Sequence, residues 1–474
     1  MSNLDMSYAA VMGRKNEIMK KAIGIDYSQF ESGGIAFDYE GMMQKAGYSL
    51  NEIREIQNAV SVGNTPLIEL RNITALVRTC AAPGMGARIF IKDEACNPSG
   101  SFKARRAATA VYHAKKLGYK GVIAATSGNY GAAVASQAAM HGLQCIIVQE
   151  CYDSSMKGQP EILEKQRACE AYGAEVVQLT VGPELFYVFL QLLESTGYFN
   201  ASLYTPFGIA GVETLGYELA EQCKARTGKF PEAVVVTHAG GGNITGTARG
   251  MIKAGAAATR IIGASVDLSG LHMASDTAFN RKSFTTGHTG FGIPFATWPD
   301  RADVPRNAAR PLRYMDEYVL VKQGEVFYMT ELLAVLEGLE RGPAGNTSLT
   351  AAFALAQTMP QDAIIVVQET EYTGAGKHPL PQLSFAKQNG ISLITGDPEL
   401  EQPGTDIILP DHPNRIRIRH YDLQKAKVSY IRNCVANAGT TPLTADDIAF
   451  IAADIKADTA FVNKVLNELN NNKA

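Results

Sequence analysis

The chain has 474 residues, 46% of them hydrophobic, which is enough to bury more than one core and to form two or three domains. A formal charge of −3 gives no electrostatic reason to expect nucleic acid or an anionic membrane as a partner. No signal peptide and no apolar run long enough to span a bilayer is evident, so a soluble cytoplasmic protein is the expectation.

Residues 7–58 are charged and helix-like, with Gly33-Gly34 as a breaker, and read as an N-terminal helical extension over 1–62. Beyond Gly63-Asn64-Thr65-Pro66-Leu67, apolar strands alternate with helical stretches to about residue 370. That alternation predicts an α/β architecture with a largely parallel sheet in each of two domains. Asn97-Pro98-Ser99-Gly100-Ser101-Phe102-Lys103-Ala104-Arg105 then carries a lysine on a Gly/Ser-rich turn that opens into a helix. Burial or a neighbouring cation turns such an amine into a nucleophile by lowering its pKa, by up to ~3–5 units. Taken alone, a solvated lysine at a helix end is the simpler reading.

Two further motifs change that balance. Residues 121–126 form a buried apolar run that leads into Ser127-Gly128-Asn129-Tyr130-Gly131 and a helical stretch over 132–140. A second β-branched run at 233–237 ends in Ala239-Gly240-Gly241-Gly242-Asn243-Ile244-Thr245-Gly246-Thr247 before another helix. Glycines let backbone N–H groups crowd around a phosphate, and a helix start adds about half a positive charge. A Walker loop would need a following Gly-Lys-Ser/Thr, and a dinucleotide fingerprint would follow the first strand, so neither context fits.

Further along, Asp300-Arg301-Ala302-Asp303-Val304-Pro305-Arg306-Asn307-Ala308-Ala309-Arg310-Pro311-Leu312-Arg313 is arginine-rich, and His272 and His288 lie shortly before it. The strand-like run 364–367 precedes Thr373-Gly374-Ala375-Gly376-Lys377. Residues 401–413 read as a Pro/Asp-rich turn region, and Thr444-x-x-Asp447 reads as a cap ahead of an amphipathic run to 469. Seven scattered cysteines (Cys80, Cys96, Cys145, Cys151, Cys169, Cys223 and Cys434) contain no Cys-x-x-Cys pair, which argues against a zinc site or a disulfide framework. Cys96, close to Lys103, reads first as a small buried hydrophobe and second as a redox or acyl-accepting thiol.

A lysine trap for an aldehyde, an Asn-bearing turn and a distant phosphate cup, in that order, resemble the fold type II pyridoxal-phosphate (PLP) enzymes, the tryptophan synthase β-like group. Gly63-Asn64-Thr65-Pro66-Leu67, the Glu337-Gly338…Gly342-Pro343-Ala344-Gly345 helix start and the Thr373-Gly374-Ala375-Gly376 turn extend the likeness over about residues 60 to 380. Asp93–Lys103 as numbered above, 282–292 and 368–377 resemble the β subunits of 2-amino-4-oxopentanoate thiolases. This resemblance implies a larger cofactor domain from 63–97 with 207–397, a smaller domain over 98–206 and a C-terminal extension over 398–474. It also implies a small α subunit as partner, and a homodimer of this chain within a hetero-oligomer. The reaction would be thiolytic cleavage of a 2-amino-4-oxo acid with coenzyme A to acetyl-CoA and alanine. PLP-dependent β-replacement or β/γ-elimination, and a non-catalytic regulatory subunit, stand as alternatives.

The likeness assigns roles residue by residue. Lys103 would hold PLP and act as acid and base, and Asn129 would donate to the ring oxygen. Ser127, Gly128 and Tyr130 would take the substrate carboxylate. Gly240, Gly241, Gly242, Asn243 and Thr245 would cradle the phosphate. Thr373, with Thr370 as the alternative, would face the ring nitrogen. Arg306 and Arg310 would grip coenzyme A phosphates, since guanidinium forks match phosphate oxygens, with a salt-bridged loop as the competing reading. Either His272 or His288 could face the substrate ketone.

Overall fold

The computed structural model describes residues 5–45, 47–126, 128–153, 155–182, 184–268, 284, 292–300, 303–372 and 379–471. Ser127, His272, His288 and Thr373, with the Gly374–Lys377 turn as numbered, lie outside them.

The strands are β1 (Leu67–Glu69), β2 (Arg88–Asp93), β3 (Gly121–Thr126), β4 (Gln144–Tyr152), β5 (Glu175–Thr180), β6 (Phe199–Asn200), β7 (Ala233–Thr237), β8 (Arg260–Val266), β9 (Glu317–Val321), β10 (Ile364–Glu369), β11 (Ser392–Gly396), β12 (Asp406–Pro410) and β13 (Arg419–His420). They form a seven-stranded sheet of order β1-β2-β10-β7-β8-β9-β13, a four-stranded sheet of order β5-β4-β3-β6 and a two-stranded sheet of β11 and β12. Pairing within the four-stranded sheet is parallel, and in the larger sheet the two edge strands, β1 and β13, are antiparallel. Strands such as Gly-Val-Ile-Ala-Ala-Thr in β3 and Ile-Ile-Val-Val-Gln-Glu in β10 are buried at every residue, because helices cover both faces of a parallel sheet. The C-terminal ends of β3, β7 and β10, where α/β proteins place ligands, lead toward Gly128-Asn129, Gly240-Gly241-Gly242 and Thr370-Glu371 respectively.

Three helices set the distances between these ends. The Lys103–Lys116 helix packs on the long Pro206–Thr227 helix, which packs in turn on the Gly242–Lys253 helix. A Cβ added to Gly211 would lie 2.2 Å from the Arg105 carbonyl oxygen, and one added to Gly216 would lie 2.0 Å from that of Thr247. Glycine at these crossings lets the backbones touch, which brings the lysine helix and the glycine cup to one cleft.

The extensions pack onto this core and onto each other. Helices Lys15–Ile23 and Leu50–Asn58 flank the segment 24–49, where Gly33 and Gly34 fall, and the Ile35 and Ala36 N–H groups each donate to Asp447 Oδ1 at 2.9 Å. Thr444 and Asp447 form a capping box ahead of the Ala445–Asp454 helix, and the expected single amphipathic run is split, with a second helix at Thr459–Asn471. Two expectations need adjustment. Residues 401–413 contain β12, which pairs with β11 across position 397, and β13 adds a residue pair to the edge of the larger sheet from within 398–474. Of the two, β13 extends the larger sheet, while β11 and β12 form a separate two-stranded sheet.

Candidate active site

Lys103 is the first residue of its helix, and the turn before it is fastened to the end of β10. Ser101 and Glu371 pair as an antiparallel bridge, Phe102 N–H donates to the Thr370 carbonyl at 3.1 Å, and Tyr372 N–H donates to that of Gly100 at 2.7 Å. Gly100 has φ 72°, and a Cβ there would lie 2.7 Å from the Tyr372 carbonyl oxygen, so only glycine fits the turn. The Lys103 amine is pushed down to about 8, first by burial, with Glu371 opposing and Lys165 and Arg106 reinforcing.

Lys165 comes from the Pro160–Ala171 helix, bonds Glu161 one turn back and lies 3.7 Å from Glu371. Burial favours its neutral form, but the two carboxyls outweigh this and hold its pKa above the ordinary lysine value. Burial and Glu161 push Glu371 upward, against the pull of Lys165 and Lys103. A Cβ added to Gly128 would lie 2.9 Å from Lys165 Cδ, so this lysine covers the turn that begins the Asn129–His141 helix. Lys103, Glu161, Lys165 and Glu371 thus form one buried charged cluster drawn from three chain segments. Beside it, burial and the neighbouring Asp93 and Glu371 push Glu369 well above the usual carboxylate range.

Around the Asn129 turn, the Gly128 and Gly131 N–H groups donate to Thr126 Oγ1 at 3.0 and 3.3 Å. The Asn129 and Tyr130 N–H groups stand at the helix start, without intrahelical acceptors. The Tyr130 hydroxyl is spent on the Ala201 carbonyl at 2.6 Å. In the glycine cup, Gly241 has φ 82° and precedes the Gly242–Lys253 helix. Asn243 is buried with its Oδ1 lacking a hydrogen-bond partner, while the Thr245 hydroxyl donates to the Gly241 carbonyl at 2.9 Å and accepts from Arg310 N–H. The Thr245 hydroxyl therefore braces the cup. Thr370 is buried beside Lys103, with its carbonyl taken by Phe102.

The arginine loop departs from the coenzyme A reading. Arg310 is buried, bonded to Asp454, to the Tyr430 hydroxyl and, at 2.8 Å, to Asp300. Arg306 donates to the Ile35 carbonyl at 2.8 Å and lies over the Phe37 and Phe450 rings. Arg310 joins the C-terminal extension to the core through buried carboxylates, and Arg306 joins the N-terminal extension through the Ile35 carbonyl, with its Nε left without a hydrogen-bond partner among the described residues. The salt-bridged alternative describes this loop. Cys96 also differs from expectation. It is exposed, its thiol donates to Asp93 at 3.3 Å, and partial desolvation with Asp93 raises it to about 11, so it stays protonated.

The residues present suit PLP. A low-pKa amine can trap its aldehyde, a glycine cup at a helix N-terminus with an orphaned buried Asn243 can take its phosphate, and apolar surroundings can exclude water. Sequence reasoning missed Glu161, Lys165, Glu371 and Arg106, whose significance lies in where three separate segments meet. Arg106 alone had a local signal, three residues beyond Lys103 and so on the same helix face.

The pyridoxal-phosphate dependent enzyme family matches residues 59–371. A "2-amino-4-ketopentanoate thiolase beta subunit" of Acetoanaerobium sticklandii is 69% identical over 98% of this chain and 99% of its own length. A protein of the same description from an unknown prokaryotic organism is 67% identical over 98% of each chain. The solved structure of a T.th. threonine deaminase, 25% identical, covers 68% of this chain and 98% of its own, with a TM-score of 0.50. The chain therefore belongs to the pyridoxal-phosphate-dependent enzymes of fold type II and, within them, to the 2-amino-4-ketopentanoate thiolase β subunits.

Proposed function

We propose that this chain is the catalytic subunit of a heteromeric enzyme that cleaves 2-amino-4-oxopentanoate with coenzyme A to acetyl-CoA and alanine, as in ornithine degradation. The observation that carries the reading is Lys103, a buried amine lowered to about 8, in a chain 69% identical to a thiolase β subunit. The reaction breaks Cβ–Cγ. The coenzyme A sulfur adds to the γ-carbonyl carbon, the electron pair of the broken bond goes to Cβ, and Cβ and Cα are protonated in turn. Bound PLP supplies the electron sink without which charge at Cβ is inaccessible.

The protein provides position and protons. Lys103 takes the proton from Cα and returns it, since an amine near neutral pKa serves as both base and acid. Glu371 and Lys165, 3.7 Å apart and acting on Lys103 through their charges, pass protons on. Ser127, Gly128 and the Tyr130 N–H group hold the substrate carboxylate, and Asn129 donates to the ring oxygen. Gly240, Gly241, Gly242 and Asn243 take the phosphate, and Thr373 or Thr370 faces the ring nitrogen. A small α subunit completes the enzyme for coenzyme A. Seven free cysteines, and the lack of any helix among the described residues long and apolar enough to cross a membrane, accord with a cytoplasmic enzyme.

The test is product analysis in deuterium oxide with substrate, coenzyme A and the α subunit. Acetyl-CoA and alanine labelled at Cα and Cβ are expected. Ammonia and an oxo acid without acetyl-CoA would replace this reading with an eliminase.

A further inference from the structure

Arg106 is 2% exposed, yet among the described residues no carboxylate lies within ion-pair distance of it. Its Nη1 donates to the Leu203 carbonyl at 3.3 Å, a long bond, and its buried Nε has no hydrogen-bond partner. The Phe102 ring lies 5.3 Å from the guanidinium carbon. Its fork is aimed at the glycine cup, since a Cβ added to Gly242 would lie 2.3 Å from Nη2 and 3.0 Å from Nη1. The Tyr204 hydroxyl closes the same cup beside Gly240.

A buried guanidinium without a counter-charge is costly, and here it faces the positive end of the Gly242–Lys253 helix, a second source of positive potential. Both features are resolved together by an anion seated between them. A dianionic phosphate ester offers the planar fork two oxygens and the helix start a third. We propose that Arg106 is a positioning residue that anchors the phosphate of the cofactor, in addition to the backbone cup. Because Arg106 stands three residues after Lys103 on one helix face, a single rigid element then grips both the aldehyde and the phosphate end of the cofactor.

The inference rests on the PLP assignment, and the experiment separates the two. Apo-protein of wild type, Arg106→Gln and Arg106→Lys is titrated with PLP and with pyridoxal, which has the aldehyde but no phosphate. Binding is followed by absorbance, and the 31P resonance of bound PLP is recorded. Arg106→Gln should weaken PLP about 10- to 100-fold, as expected for losing bonds to a charged group, while leaving pyridoxal unchanged. Arg106→Lys, which keeps charge and bulk, should lose less, and both variants should move the 31P resonance. Equal weakening of PLP and pyridoxal, or no weakening with an unmoved resonance, would overturn the role of Arg106. Failure of either aldehyde to react at Lys103 in wild type would instead remove the cofactor assignment.

Discussion

Arg105 and Arg106 are adjacent, both buried, and carry opposite kinds of surroundings. Arg105 bonds Glu94 through Nε at 2.7 Å and through Nη2 at 2.8 Å, and bonds Glu218 at 3.0 and 2.8 Å, with Thr214 and Thr65 filling its remaining donors. Lys92 joins the same network by donating to Glu218 and to the Thr65 carbonyl. Charge and hydrogen bonds balance there without any ligand, so the network's work is to fix the start of the lysine helix. One residue on, Arg106 has no such balance, and Asn243 shares the condition. Arg105, with its full set of partners, belongs to the frame, and Arg106, facing the glycine cup without a counter-charge among the described residues, marks where an anion completes the site.

Breaking the frame should be the larger perturbation of stability. Glu218→Ala strands Lys92 and half of the Arg105 fork, and should cost about 3–5 kcal/mol in urea unfolding of the apo-protein, as for a broken buried pair. The sign with pH follows from Glu218, which is held at about 2 against an ordinary 4.5 by Arg105 and Lys92 despite burial. A depressed carboxylate contributes fully above about pH 4.5 and loses its contribution as pH falls toward 2, so wild type should show acid sensitivity in that window that Glu218→Ala lacks. A loss below about 1 kcal/mol would mean that the network is not the frame described.

Arg310 extends the comparison to a second saturated arginine. Arg310→Lys keeps the charge but loses the fork on Asp454 and Asp300, and should cost roughly 1.5–3 kcal/mol. The coenzyme A KM should stay unchanged, because the guanidinium is occupied within the protein. A raised KM with unchanged stability would restore the coenzyme A reading of this loop.

Much of the architecture was legible in the sequence. Apolar runs ending in Ser127-Gly128-Asn129 and Gly240-Gly241-Gly242 are local signals, since a fully buried parallel strand and a phosphate-type turn leave their composition in a few consecutive residues. The Thr444–Asp447 cap was legible for the same reason. The buried charged cluster was not, because Glu161, Lys165 and Glu371 are ordinary residues on their own segments and become unusual only when a helix and a strand end meet. The same limit explains Arg306 and Arg310. Four arginines in one loop suggest an anion, and only tertiary packing shows that Asp454 and the Ile35 carbonyl already receive two of them. Residues 401–413 misled for a different reason, their prolines and aspartates bracketing a strand short enough to pass for a turn.

The saturated and unsaturated contrast holds within the cleft as well, between two buried lysines. Lys165 has two carboxyls and stays charged, whereas Lys103 is driven down to about 8 and becomes the free amine that attacks an aldehyde. Borohydride reduction of the PLP-loaded protein followed by peptide mapping tests this directly. The pyridoxyl group should be found on Lys103, with trapping that rises as pH passes through about 8. A pyridoxyl group on Lys165, or on any other lysine, would contradict the account.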